Sequence, residues 1–157
     1  MTQTSPLAPF RGLVWRILPA DLRDEVLAPA AAPEGRFHHD GQRALYASLT
    51  AEGAGVAIAR YVAADQTPRI IVPLRLGLTR VRDLRVGPDP ARASVVWQEA
   101  RAQGEPAPTW AYSDAARADG AEAMLYLSRS RPDLTHIVLF DWSAATVAPD
   151  GPPCPWP

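Results

Sequence analysis

Short apolar runs alternate with helical stretches along the whole chain. No run approaches the roughly twenty apolar residues that a membrane-spanning helix requires. The chain has 157 residues, of which 47% are apolar and 21% are charged, and this is the size and composition of one folded domain with its own core. Because strands and helices are interleaved rather than separated into blocks, the pattern predicts a single mixed α+β domain.

The predicted elements are short, and proline and glycine separate them. We expect strands over residues 10–18, 43–48, 69–76, 79–86, 124–127 and 135–142, and helical segments over residues 19–27, 50–63, 90–103 and 109–118. Thr50 is expected to cap the helix that follows it. Residues 144–157 are rich in proline, and we interpret them as a tail outside the core, which leaves residues 1–143 as the domain.

Charge and cysteine content argue against several classes of function. A formal net charge of −1 disfavours a nucleic-acid-binding protein, which normally has a basic face. The single cysteine, Cys154, can form neither an internal disulfide nor a cysteine-based metal site. The N-terminal residues lack the basic and apolar regions of a secretory signal. We therefore expect a cytoplasmic protein that contacts neither a membrane nor nucleic acid directly.

The stretch from Gly35 to Ser48 combines glycine, arginine and an aromatic residue in a pattern suited to ligand binding. Gly35 directly precedes Arg36, and glycine allows the backbone to approach a ligand closely. An arginine side chain is always charged and binds phosphate with a planar set of donors. Tyr46 follows in an apolar strand. The stretch therefore predicts a site that holds a phosphorylated ligand beside an aromatic ring.

Two further polar residues lie in or at the end of apolar strands. Arg16 follows Val14 and Trp15 in the first predicted strand, and Ser128 directly follows the apolar residues 124–127. A buried strand that ends in a guanidinium or a hydroxyl group often presents that group into a cleft. Considered one at a time, however, such residues are more often surface arginines and the first residue of a turn.

Four ordered blocks of the chain resemble RES-domain proteins, which are bacterial toxins of toxin–antitoxin pairs that attack NAD. The blocks are Trp15-Arg16, Gly35-Arg36-Phe37, Leu45-Tyr46-Ala47-Ser48 and Met124-Leu125-Tyr126-Leu127-Ser128. The resemblance extends over about residues 10–142. It implies a fold similar to that of ADP-ribosyltransferase toxins, NAD as the substrate, and cleavage of the bond between nicotinamide and ribose. It also implies a cognate antitoxin with a helical DNA-binding part and a segment that blocks the NAD cleft.

The resemblance also implies roles for individual residues. Arg16 and Arg36 would hold the pyrophosphate of NAD, because guanidinium groups suit phosphate oxygens. Tyr46 would shape the nicotinamide pocket, and Ser128 would position the substrate by hydrogen bonding. The residues expected to contact NAD are Arg16, Arg36, Phe37, His38, Tyr46 and Ser128.

The three histidines do not indicate a metal site. His38, His39 and His136 lack the regular spacing and the cysteines that would complete a zinc site, so no metal is expected. We interpret His38 as a loop residue in place of the asparagine that the family usually carries there. His136 lies in an apolar strand, which favours a structural histidine with its hydrogen bonds satisfied.

One position departs from the family pattern in a way that concerns catalysis. RES-domain proteins carry a glutamate eleven positions after the strand tyrosine, where this chain has Ala57. Glu52 precedes it in the same helix and either supplies the catalytic carboxylate or stabilises the first helical turn. The departure leaves open a catalytically inactive domain that binds an antitoxin or another protein. It also remains open whether the acceptor of ADP-ribose is phosphate, water or a protein.

Overall fold

The computed structural model describes residues 6–86 and 96–157, and within these ranges seven strands form one sheet. In chain order the elements are β1 (Ala8–Pro19), a 3-10 helix (Ala20–Leu22), β2 (Leu45–Ser48), α1 (Ala51–Ala64), β3 (Arg69–Asp83), α2 (Trp97–Ala102), α3 (Trp110–Ala118), β4 (Ala123–Leu127), β5 (Thr135–Leu139), β6 (Val147–Pro149) and β7 (Cys154–Trp156). The mixed α and β content of a single domain confirms the predicted fold class.

The sheet closes on itself through the long strand β3. β1 runs antiparallel to β3, from Pro19 opposite Arg69 to Ala8 opposite Val81. The last three residues of β3 pair in parallel with β4. β4 pairs with β5, β5 with β2, and β2 with β1, so the path of paired strands returns to its start. Most of the apolar side chains are therefore collected inside a curved, continuous sheet.

Alternate residues of the strands fill this interior. From Ile70 to Leu78 the buried residues of β3 are spaced by two, as expected for a strand with one buried face: Ile70, Val72, Leu74, Leu76 and Leu78. A second, smaller apolar cluster contains Phe37, Met124 and Val138 and lies on the opposite face of β4 and β5, against α3. The two clusters leave the ends of β1, β2, β4 and β5 to border the cavity described below.

Several element boundaries differ from the sequence prediction. The strands predicted over 69–76 and 79–86 are one strand, because Gly77 between them is extended and its N–H donates to the Thr146 carbonyl oxygen at 2.9 Å. The helical segment predicted over 19–27 is limited to the 3-10 helix, followed by turns. The helix predicted over 90–103 lies partly outside the described residues, and its described part contains α2. The helix capped by Thr50 is present, and the Thr50 hydroxyl oxygen accepts a hydrogen bond from Gly53 N–H.

The proline-rich segment 144–157 was predicted to be a tail, and this is wrong. β6 and β7 both pair antiparallel with β3, and Val147 is buried in the main core. Proline is tolerated here because β6 and β7 are short strands at the sheet edge, where a missing N–H leaves no ladder bond unmade. Trp156 also packs closely against α1, since a Cβ atom at Gly55 would lie 3.2 Å from its ring.

Candidate functional site

A cavity of about 770 Å³ opens between β1, the loop before β2, and α1. Pockets for small molecules and cofactors typically enclose about 300–1,000 Å³, so a ligand of dinucleotide size is compatible with this volume. Among the described lining residues, the charged side chains are Arg16, Glu34, Arg36 and Arg129. Three of these are cationic and one is anionic, which makes the cavity suited to an anionic ligand.

Arg16 is a buried cation at the cavity wall. It alternates along β1 with the core residues Val14 and Leu18, and only 8% of it is exposed. Its Nη1 donates to the Val26 carbonyl oxygen at 2.7 Å, and none of the described carboxylates pairs with it. Burial lowers the pKa of Arg16 to about 10. An anion entering the cavity would compensate the desolvation of this guanidinium.

Arg36 is held in the cavity by aromatic rings and by a fixed loop. Its guanidinium lies 5.2 Å from the centre of the Tyr126 ring and 5.3 Å from that of Phe37. The backbone of the loop is tied to α3, because Trp110 Nε1 donates to the Gly35 carbonyl oxygen at 2.8 Å and the Thr109 hydroxyl donates to that of Arg36. Burial lowers the pKa of Arg36 as well. The side chain is thus positioned before any ligand arrives.

Tyr46 and His38 form a hydrogen-bonded pair under the same loop. His38 Nε2 donates to the Ala32 carbonyl oxygen at 2.9 Å, and burial lowers the pKa of His38, so the ring is neutral and Nδ1 is its acceptor. The Tyr46 hydroxyl therefore donates to Nδ1 at 2.7 Å while it accepts from Phe37 N–H at 2.9 Å. A Cβ at Gly35 would lie 2.5 Å from the His38 ring, so glycine is required at that position.

A row of three polar side chains crosses the sheet at the cavity floor. Ser48, His136 and Tyr126 stand opposite one another on β2, β5 and β4. The Ser48 hydroxyl is hydrogen-bonded to His136 Nδ1 at 2.6 Å, which leaves Nε2 as the ring nitrogen available to the cavity. Burial, and to a smaller extent the positive charge of Arg36, lowers the pKa of His136 to about 4. The imidazole is therefore neutral near pH 7 and able to make a directional hydrogen bond.

Ser128 lies directly after β4 and lines the cavity together with Arg129. It is 2% exposed, and its backbone N–H donates to the Leu134 carbonyl oxygen at 2.9 Å. The Ser128 hydroxyl oxygen accepts from Arg131 N–H at 3.3 Å and so starts a turn, as one interpretation of the sequence suggested. The hydroxyl proton remains available for a ligand, so the turn and a binding role are compatible.

Two of the predicted site residues do not line the cavity. Glu52 is 62% exposed and forms an ion pair with Arg131 at 3.0 Å on the protein surface. The hypothesis that Glu52 reaches the cleft is therefore not supported by the geometry, because Glu52 lies on the exposed side of the first turn of α1. Phe37 is fully buried in the second apolar cluster, where it packs edge-on against Tyr126. Ala57, in contrast, does line the cavity.

Ser48 and Glu34 are among the lining residues that sequence reasoning missed. His136 also lines the cavity, although only a structural role was predicted for it. Ser48 could have been found, because it follows Tyr46 by two residues in one strand and shares its face. His136 has its expected hydrogen bond, but the partner is Ser48, which is distant in sequence. Glu34 gave no signal beyond its position before Gly35.

Within residues 6–86 and 96–157, no group of three or more histidine, cysteine or acidic side chains is arranged to hold a metal ion. None of the helices in these ranges combines the length and apolar character needed to cross a bilayer.

Comparison with known proteins places these observations in context. The model of the family described as "RES domain" matches residues 13–157. Among solved structures, the chain is similar to the MbcT toxin in the crystal structure of the M. tuberculosis MbcT–MbcA toxin–antitoxin complex, with a TM-score of 0.66 and 12% sequence identity over 96% of this chain and 87% of that chain. At this identity the structural similarity concerns the fold alone. A search of curated proteins gives no match.

Proposed function

The chain belongs to the RES domain family, and we propose that it is the toxin of a type II toxin–antitoxin pair that cleaves the nicotinamide–ribose bond of NAD. The observation that carries this proposal is Arg16, a buried cation without an acidic partner among the described residues, at the wall of a dinucleotide-sized cavity. A pyrophosphate would supply the missing negative charge, and Arg36 lines the same cavity.

The remaining lining residues suit the other parts of NAD. The rings of Tyr46 and Tyr126 offer aromatic surface against which nicotinamide packs. Ser128 and the neutral His136 offer hydrogen-bonding groups for an amide or a ribose hydroxyl. We therefore assign Arg16 and Arg36 to phosphate binding, Tyr46 to the nicotinamide pocket, and Ser128 to substrate positioning, with His38 supporting Tyr46 from below the loop.

The proposed reaction begins with departure of nicotinamide. The electron pair of the bond between ribose and the pyridinium nitrogen leaves with nicotinamide, which becomes neutral, and the ribose acquires the character of an oxocarbenium ion. An oxygen of inorganic phosphate or water, or a side chain of a protein acceptor, then forms the new bond to the ribose and gives up a proton where it carries one. The products are, respectively, ADP-ribose 1″-phosphate, ADP-ribose or an ADP-ribosylated protein.

We further propose that a cognate antitoxin binds this chain. The similarly folded MbcT toxin is known from a complex with its antitoxin MbcA, and this supports a partner for the present chain. The antitoxin would combine a helical DNA-binding part with a segment that covers the cavity, so that the toxin itself needs no contact with DNA. NAD is a cytoplasmic substrate, and we place the activity there.

A second function, binding without catalysis, is favoured by one observation. Ala57 lines the cavity at the position of the family glutamate, and it brings a methyl group where a carboxylate is expected. A cavity that keeps its arginines but has no carboxylate on α1 would, if that carboxylate is essential, bind NAD or an antitoxin segment without cleaving the glycosidic bond.

Nicotinamide release from NAD distinguishes these functions. Purified protein is incubated with NAD in plain buffer, with inorganic phosphate, and with a cell extract, and NAD binding is measured in parallel by calorimetry. Release that requires phosphate indicates phosphorolysis, release in buffer indicates hydrolysis, and release with ADP-ribose attached to an extract protein indicates transfer. Binding without release supports the non-catalytic function. Absence of both from folded protein contradicts the proposal.

A further inference from the structure

Glu34 is the carboxylate that the described residues contribute to the cavity wall. Glu52 lies on the surface, and Ala57 carries no charge. We propose that Glu34 is the catalytic carboxylate of this site and that it stabilises the positive charge that develops on the ribose. The inference rests on the proposed cleavage of NAD and identifies the residue that performs the task for which α1 lacks a glutamate.

The backbone around Glu34 is fixed beside the phosphate-binding arginine. Glu34 directly precedes Gly35 and Arg36, whose carbonyl oxygens accept hydrogen bonds from Trp110 Nε1 and the Thr109 hydroxyl. The Gly35 N–H donates to the His38 carbonyl oxygen at 2.9 Å. Because the two residues that follow the glutamate are held in this way, its side chain starts from a defined point at the cavity rim.

Arg101 orients the Glu34 carboxylate. Arg101 Nε donates to Oε2 at 2.6 Å and Nη2 donates to Oε1 at 3.3 Å, so the pair is bidentate. The Arg101 guanidinium also lies 4.9 Å from the centre of the Trp110 ring, which limits its own movement. Both side chains are only about one-third exposed. The carboxylate is thus restrained in direction as well as in position, as electrostatic stabilisation of a transition state requires.

The ion pair does not exhaust the capacity of the carboxylate. An ionised carboxylate offers about four lone-pair sites, and the two bonds from Arg101 occupy one on each oxygen. The remaining lone pairs can accept from the hydroxyl groups of the nicotinamide ribose. The carboxylate then lies next to the ribose ring, where positive charge develops as the electron pair of the glycosidic bond leaves with nicotinamide.

Helix α2 contributes both to the cavity wall and to the Glu34–Arg101 ion pair. Trp97 and Gln98 of α2 line the cavity, and Arg101 lies near the end of the same helix. The helix therefore supplies one wall of the cavity and, through Arg101, the orientation of Glu34. Arg101 is a positioning residue in this scheme, because it acts on the substrate through the glutamate.

The test compares Glu34→Gln with Glu52→Gln in the full-length protein, with NAD as ligand. We expect Glu34→Gln to lower kcat for nicotinamide release by about 100-fold, the usual effect of removing one electrostatic group at a reacting centre, with an NAD Kd that changes by less than about threefold. Glu52→Gln removes an equal charge from α1 and should leave kcat and Kd unchanged. Thermal unfolding of each variant verifies that the fold is retained.

Arg101→Gln provides an independent measurement, because it leaves Glu34 in place but removes its orientation. We expect kcat to fall by about tenfold at nearly constant Kd, an intermediate effect that a purely structural ion pair would not show. Normal kcat in Glu34→Gln, beside an active wild type, would overturn the role of Glu34 and leave the proposed function standing. Absence of nicotinamide release from folded wild type would overturn the proposed function and this role together.

Discussion

Replacing Arg16 with methionine should stabilise the fold and weaken ligand binding at the same time. Burial lowers the pKa of Arg16 well below its ordinary value, to about 10, and Arg16 is 8% exposed. At about 1.4 kcal/mol per pKa unit, this corresponds to a cost of about 3 kcal/mol for keeping the guanidinium charged in the fold. Removing the guanidinium also leaves the Val26 carbonyl oxygen without its donor, and a part-buried acceptor without a partner costs about 2 kcal/mol.

Methionine removes the desolvation cost and the hydrogen bond together, and it retains an unbranched apolar side chain. The balance predicts a gain of about 1 kcal/mol in the free energy of unfolding, or about 2–4 °C in Tm for a chain of this size. The ligand loses at least one charged hydrogen bond, so the NAD Kd should rise by about 10- to 100-fold.

The assay is thermal unfolding by circular dichroism together with calorimetric titration of NAD. Arg11→Met is the matched control, because Arg11 is an exposed arginine of the same strand. It should change neither Tm nor Kd beyond experimental error. A Tm that falls by several degrees in Arg16→Met, with NAD binding unchanged, would show that Arg16 is a structural cation and would refute the reasoning.

Three further substitutions test other parts of the structure. The pKa of His136 is lowered to about 4, so this histidine takes up a proton in the unfolded chain first as the pH falls below about 6.5, and the free energy of unfolding should fall by up to about 3 kcal/mol by pH 4. Urea unfolding at pH 7 and pH 4.5 should therefore show a smaller loss of stability in His136→Gln than in wild type. An equal loss in the two proteins would contradict this. Val147→Ala should lower the free energy of unfolding by about 2 kcal/mol, because Val147 is 1% exposed in the core, whereas a detached tail would give no change. Tyr46→Phe should lower the free energy of unfolding by about 1–3 kcal/mol in the same urea assay, because the N–H of Phe37 and Nδ1 of His38 lose their partner. Stability equal to that of wild type would mean that these groups find other partners.

The sequence predicted the parts of the fold and the site that depend on local patterns. Apolar patterns predicted the strands, and Thr50 marked the start of α1. The Gly35-Arg36 loop predicted a binding site, and both residues line the cavity. Arg16 belongs to this group, because an arginine between apolar strand residues is either at the surface or in a cleft, and the family resemblance favoured the cleft.

Features that depend on distant partners were not predictable in the same way. The edge position of β6 and β7 depends on an open edge of β3, which local composition does not reveal, so a proline-rich segment was interpreted as a tail. Glu34 acquires its orientation from Arg101, and the Ser48–His136 hydrogen bond joins two strands that are distant in sequence. The surroundings of Glu34, Ser48 and His136 are thus set by contacts between distant segments. Sequence reasoning had only the position of Glu52 in the helix to suggest it as the carboxylate.

Ligand affinity and bond cleavage are assigned to different parts of this cavity. Arg16 and Arg36 lie on β1 and the glycine loop, and their burial disfavours the charged side chain until an anion binds. The carboxylate that would act on the ribose lies at the rim and is restrained by Arg101 rather than by α1. Alanine at position 57, where the family pattern has glutamate, leaves the cavity with one negative charge fewer, which under the proposed function favours binding of a pyrophosphate and leaves the arginines untouched. For this reason Arg16→Met is expected to act mainly on Kd and Glu34→Gln mainly on kcat, and an effect of both substitutions on the same parameter would argue against two separable functions within the cavity.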